Sequence, residues 1–315
     1  MHPTDLLLLA LLATPSSAHG VVTMIKGANG VNMPGLSVAD GTPRDCSTNL
    51  CGSQADTAII RDLEIRSGRV GPLGRTQGNG PIDAATMVAN FMGTGTAPSV
   101  NAANASVGVE DDLSALGRSG KGNNNKRGPE GDDCGDEEET AGSGAVKVAR
   151  QFLKGLFGSG GTTSKVKTEA NVAATAGKGA TEGLPTCADD GSIQMVFHQI
   201  NQDGAGPLEA AVDGTSGGTD PAAFKTAKVT QDVPGIGFQG LSLATNKDFP
   251  LTVQMPAGMT CDATVAGVNN VCIVRVRNGA AAGPFGGSAA FTQSPAARKR
   301  AIEYRLKKRA QEFRA

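Results

Sequence analysis

Glycine falls at about every seventh position of this 315-residue chain, 44 in all, beside 16 prolines, no tryptophan and a single tyrosine, Tyr304. Each glycine weakens any helix or strand that contains it and favours a turn. High Gly with few large aromatics argues for short strands joined by many turns, which bury the apolar residues together. The apolar runs agree. Val21 to Ile25, Ala58 to Ile60, Ser192 to Ile200 (SIQMVFHQI), Leu251 to Met255, Val271 to Arg277 (VCIVRVR) and Ser288 to Gln293 (SAAFTQ) are each of strand length. The run VCIVRVR alternates, with Cys272, Val274 and Val276 on one face and Ile273, Arg275 and Arg277 on the other. Short strands separated by Gly/Pro turns predict an all-β fold, an immunoglobulin-like β-sandwich with long loops.

One short helix is expected. Ala84, Met87, Val88 and Phe91 recur at helical spacing, with Asp83 as the cap and Gly93 as the stop. Between residues 103 and 183 the composition changes to Asn, Gly, Ser, Thr and Lys with an acidic run, Asp136 to Glu139. Such a stretch buries too little apolar surface to offset its ordering entropy, and is expected to be a low-complexity disordered insertion. Val146 to Phe157 within it could form a short amphipathic helix, and Asn104-Ala105-Ser106 is a glycosylation sequon. Residues 19–102 and 184–293 are then two halves of one sandwich domain. Residues 294–315 form a basic tail with Ile302, Leu306 and Phe313 near one helical face.

The N-terminus sets the compartment. Leu6 to Ala13 is an unbroken apolar run followed by Thr14-Pro15-Ser16-Ser17-Ala18, the pattern of a secretory signal peptide over residues 1–18. The run is too short to span a bilayer, which takes about 20 residues, so no stable membrane insertion is expected. Six cysteines, Cys46, Cys51, Cys134, Cys187, Cys261 and Cys272, form an even set without a CxxC pair, which reads as a disulfide framework rather than a metal cluster. Cys261 and Cys272 flank Gly267-Val268-Asn269-Asn270 and should bridge a hairpin. The formal net charge is −1, and because the tail is basic the remainder is acidic. An acidic secreted core without stacking aromatics excludes nucleic acid as a partner. The chain reads as a monomer.

Cleavage after Ala18 would make His19 the first residue. Its α-amine and imidazole together chelate a late transition metal such as copper, and one more histidine would complete three nitrogens. The chain has three histidines, and His2 leaves with the leader, so the partner is His198, at the end of its strand just before Asn201-Gln202-Asp203-Gly204. A structural histidine held by hydrogen bonds is the alternative reading of His198. Phe291 is expected to shield one axial side of such a site, or else to be plain core, and Gln293 to orient an oxygen species. Other chemistries fit less well. No G-x-S-x-G occurs, and Asp203, Glu209 and Asp213 sit where carboxylates usually form turns.

Several long runs together identify a family. HGVVTMIKGANGVNMPG from His19, ADGTPRDCSTNLCGSQADTAIIRD from Ala39 and HQINQDGAGPLEAAVDGTSGGTDP from His198 resemble the fungal appressorium-specific virulence factors. So do QMPAGMTCDAT from Gln254 and AGPFGGSAAFTQSPAARKRAIEYRLKKR from Ala282. That resemblance implies a role in penetrating the host, with expression in the infection structure. A second likeness, carried by His19, His198 and Phe291, is to lytic polysaccharide monooxygenases. It implies a sandwich of their type, bound copper, and oxidative action on a cell-wall polysaccharide. The absence of Trp removes the flat aromatic platform used on crystalline polymer. Two readings result: a secreted copper protein acting on wall polysaccharide, and a non-catalytic wall-binding or host-interacting virulence protein. Retention in the appressorium cytoplasm, with the leader uncut, is the alternative location.

Overall fold

The computed structural model describes residues 19–48, 51–96, 98, 161–202, 204–235, 240–242, 244–280 and 283–313. The leader, Asn104, Cys134, residues 103–160 of the insertion and its candidate helix at 146–157 lie outside them. The described chain is all-β, an antiparallel sheet curled on itself. Its strands are β1 (Gly20–Lys26), β2 (Asn32–Pro34), β3 (Ala58–Ile59), β4 (Arg75–Thr76), β5 (Gly80–Pro81), β6 (Thr162–Thr163) and β7 (Ser192–Gln199). They continue as β8 (Glu209–Asp213), β9 (Phe224–Gln231), β10 (Lys247–Gln254), β11 (Ala263–Val265), β12 (Val268–Arg277) and β13 (Phe285–Thr292). The order across the sheet is β2-β1-β7-β10-β9-β8-β12-β13-β3-β4-β5, with β11 on β12 and β6 on β10.

The curl brings β1 against β13, far from it in the strand order. Small residues in Phe285–Thr292 (FGGSAAFT) make that approach possible. A Cβ on Gly287 would lie 2.8–3.0 Å from atoms of Val22, closer than packed carbons allow. The core between the layers holds Val22, Ile25, Ile193, Met195, Phe197, Phe249, Leu251, Val274, Val276 and Phe291. Every strand expected from the sequence is present within a few residues. Of the strands not expected, β8 and β9 are the longest, formed by segments whose alternation is masked by Lys, Thr and small residues.

The short helices are α1 (Asp62–Arg66), α2 (Ala84–Phe91), α3 (Asn171–Ala174) and α4 (Gly179–Glu182), with α5 (Pro295–Glu312) at the C-terminus. α2 is the helix expected: the Asp83 side chain accepts from Ala85 N at 3.1 Å, and Gly93 ends it at φ 77°.

Residues 161–183 are packed structure, a departure from the disordered stretch expected there. Val172 in α3 is fully buried, and Asn90 Nδ2 donates to its carbonyl at 3.2 Å. Glu169 reaches the buried Arg44, whose Nε donates to Glu169 at 3.1 Å while Nη1 and Nη2 fork onto the two oxygens of Asp56 at 2.9 and 2.5 Å. Burial alone would lower the Arg44 pKa, but Asp56 and Glu169 outweigh it and raise it above its ordinary value. Composition hid this because a long-range charge cluster and a single buried apolar residue, Val172, tie the segment down rather than an extended apolar face.

Two disulfides are present among the described residues, Cys46–Cys51 and Cys261–Cys272. The second is the hairpin bridge expected from the spacing. Cys187 is buried and pairs with no described cysteine, and burial pushes its pKa up.

Candidate metal centre

His19 stands one residue before β1. Its backbone N donates to Asn201 Oδ1 at 2.7 Å, and its carbonyl accepts from Ile200 N at 3.0 Å. Its ring lies on Phe285 of β13, with centroids 4.2 Å apart and the planes tilted by 34°. Two glycines permit this seat. A Cβ at Gly20 would meet the Phe197 ring at 2.5 Å, and a Cβ at Gly204 would meet the His19 carbonyl oxygen at 1.8 Å. The loop after β7 can therefore close over His19 only with glycine at position 204.

His198 is in β7, paired with Val21 of β1 on one side and with Asp248 of β10 on the other. Residues opposite one another share a face, so Val21, His198 and Asp248 do. His19 and His198 lie at the same end of the β1–β7 pair, His19 through the bond from Ile200 N to its carbonyl and His198 opposite Val21. Each has a relative exposure of only 1 %.

His198 Nδ1 lies 2.7 Å from Asp248 Oδ1. In the neutral tautomer with the proton on Nδ1, that nitrogen donates to the carboxylate and the ring presents its lone pair at Nε2. That atom is buried and makes no hydrogen bond to any described residue. A buried polar atom left without a partner is costly, commonly about 1–3 kcal/mol. A carboxylate behind the other ring nitrogen is the arrangement that orients and enriches a metal-ligating imidazole. His198 therefore fits a late transition metal through Nε2. Asp248 was not foreseen, because only the β7–β10 register brings it to the histidine from 50 residues away; its sequence context, Lys247-Asp248-Phe249, carries no signal.

Among the described residues no group of three or more His, Cys, Asp or Glu is gathered to hold a metal. A site of this kind needs two imidazoles and an amine instead. The atom that would be that amine, His19 N, is the one beside Asn201 Oδ1. Behind it, Gln199 Nε2 donates to Asn201 O at 2.9 Å and Ala244 O at 2.7 Å, fixing both loops of this end.

The other two expected residues are elsewhere. Phe291 is in β13, fully buried and paired with Cys272. It is six residues from Phe285, about 20 Å along a strand. Phe285, not Phe291, is the ring against His19. Alternation puts both on strand β13, so the sequence suggested the right strand and the wrong end. Gln293 accepts from Cys261 N and donates to Met259 O, both at 3.0 Å. It clamps the 259–261 loop beside a cavity of about 270 Å³ that Tyr304 also lines. Of the carboxylates weighed for other chemistry, Glu209 meets Arg277 at 3.4 Å. Asp213 is a turn-former that accepts from Thr215 N, Ser216 N and Gly218 N. Burial pushes its pKa up, but the bonds from Ser216, Thr215 and Gly218 hold it below the usual carboxylate range.

Comparison with known proteins gives the family. A family model described as Egh16-like virulence factor matches residues 17–286. The chain belongs to that family. It is 51% identical over 309 residues to the appressoria-specific virulence factor GAS2 of Pyricularia oryzae, covering 98% of this chain and 94% of that protein. A second relative, the appressoria-specific virulence factor GAS1 of the same fungus, is 40% identical over 129 residues, 40% of this chain and 50% of the relative. No solved structure matches. The family indicated by the long sequence runs is thereby confirmed, and the matched residues include both histidines, Phe285 and Asp248.

Proposed function

We propose that this chain is a secreted virulence protein of the appressorium that holds one copper ion between His19 and His198 and acts oxidatively on cell-wall polysaccharide. Membership of the Egh16-like family and the near full-length similarity to GAS2 support the virulence role and the appressorium. Disulfides at Cys46–Cys51 and Cys261–Cys272 support an oxidising, extracellular setting. The observation that carries the metal is the buried Nε2 of His198, which has no partner among the described residues and stands opposite the ring nitrogen that meets Asp248.

The chain's residues have distinct parts. After cleavage at Ala18–His19, the His19 amine, the His19 imidazole and His198 Nε2 would hold the ion. Asp248 keeps the proton on His198 Nδ1 and so keeps Nε2 available. Phe285 covers the His19 ring and excludes water from that side. Bound copper would supply one-electron redox chemistry with an oxygen species, given an external electron donor.

One observation favours the second reading, a non-catalytic wall-binding or host-interacting protein that sequesters copper. Both imidazoles are 1% exposed, and a polymer cannot reach a metal that lies behind protein. The experiment separates the two. N-terminal sequencing of the secreted protein is expected to begin at His19, and titration with Cu(II) to show one site per chain that His198→Ala removes. With reductant and a panel of wall polymers, oxidised oligosaccharides support catalysis; copper binding without them selects the sequestering protein. A start other than His19 overturns both copper readings.

A further inference from the structure

The C-terminal helix α5 is the largest surface feature that the metal centre does not use. Ser294 caps it, its Oγ accepting from Ala297 N at 3.1 Å, and Pro295 opens it. Its first three turns are docked: Ala297 and Ala301 are buried, Arg298 bonds Cys261 O at 2.8 Å and Asp262 at 2.9 Å, and Arg305 bonds Thr260 Oγ1 at 3.2 Å. From Ile302 to Phe313 every residue is exposed.

The exposed part is amphipathic in an unusual direction. Ile302, Leu306 and Phe313 follow at i, i+4 and i+11, one stripe at 3.6 residues per turn, turned away from the docked side. Their exposures are 40%, 59% and 91%, rising toward the free end. By the same geometry Arg305 and Arg309 flank one side of the stripe, and Lys299 and Lys307 the other. The helix PAARKRAIEYRLKKRAQE carries seven Lys/Arg against two Glu. Arg298, Arg305 and Lys308 have partners on the body or on the helix, and of the cations beside the stripe Lys299, Lys307 and Arg309 make no ion pair with a described residue.

We infer that α5 is an interfacial anchor that lays its Ile302–Leu306–Phe313 stripe into an anionic lipid surface, with its flanking lysines and arginines against the headgroups. The charge selects an anionic partner, and the stripe selects lipid. A polyanionic polysaccharide would meet the cations but leave Leu306 and Phe313 in water. A second copy of the chain would bring a like-charged helix against this one. The long basic side chains can run beside the apolar stripe and keep their charges at the headgroups. Peripheral binding of this kind needs no membrane-spanning helix, and none is long and apolar enough among the described residues.

The test is co-sedimentation of the full chain with phosphatidylcholine vesicles with and without phosphatidylserine. Binding is expected only with phosphatidylserine, at about tenfold or higher affinity than to the neutral vesicles, and to weaken as salt is raised. The triple variant I302S/L306S/F313S keeps every charge and touches no buried residue, and it is expected to lose about tenfold or more. No binding to the anionic vesicles overturns the inference. So does equal binding by the triple variant, which would assign the helix to polyanions by charge alone. Circular dichroism of the variant checks that the fold is intact.

Discussion

Two polar clusters in this molecule set a buried basic side chain against carboxylate and differ in what they leave undone. Arg44 is enclosed with Asp56 and Glu169, and all of its guanidinium nitrogens donate to a carboxylate. His198 is buried against the partly exposed Asp248, and one of its two nitrogens is left without a described partner. The first cluster is closed, so it can only hold segments together. It joins the loop of Arg44 and Asp56 to the 161–183 segment. The second is open at one atom, so it has capacity for a ligand. Completeness of hydrogen bonding, more than charge or burial, separates a structural polar site from a binding one.

That contrast breaks most visibly at Arg44. Arg44→Ala leaves two buried carboxylates without a cation and is expected to cost about 3–5 kcal/mol, read by chemical denaturation, while copper stoichiometry in the folded fraction stays at one. A change in stoichiometry at full folding would join the two clusters. Asp248→Asn acts in the opposite sense. It is expected to lower Cu(II) affinity by about 10–100-fold, read by calorimetric titration, with little loss of stability because Asp248 is partly exposed. Equal affinity would return His198 to an ordinary structural histidine.

A third prediction concerns pH. The Asp213 pKa is held below its unfolded value, so its contribution is fully present above the unfolded carboxylate pKa of about 3.9. It is lost as pH falls through the lower folded value. Acid titration of stability should therefore show a loss below about pH 4 that is smaller in Asp213→Asn. An identical acid limb in the variant contradicts the assignment. The smallest effect is expected at Phe291→Leu: about 1–2 kcal/mol of core stability and unchanged copper affinity, since Phe285 rather than Phe291 lies on His19. A copper effect there would move the axial position back along β13.

Much of the fold was legible because period-two alternation and glycine spacing act locally. β12, the Cys261–Cys272 hairpin and α2 with its Asp83 cap are all written within a dozen residues. The pairing of His19 with His198 as a candidate chelate came from a different source: the chain has so few histidines that a chelate has one possible partner. What escaped depends on register and on long-range charge. Asp248 meets His198 only because β10 pairs with β7 at that offset, and a slip of one residue would turn Asp248 to the other face. Phe285 and Phe291 are equivalent by strand pattern, and the approach of β1 to β13 decides between them. The 161–183 segment reads as low complexity, yet Glu169 and Val172 anchor it.

The central claim rests on one atom, His198 Nε2, and Cu(II) titration of the mature chain beginning at His19 tests it most directly. One ion per chain is expected, lost in His198→Ala and retained in Phe291→Leu. Absence of binding, or binding that His198→Ala leaves unchanged, contradicts it.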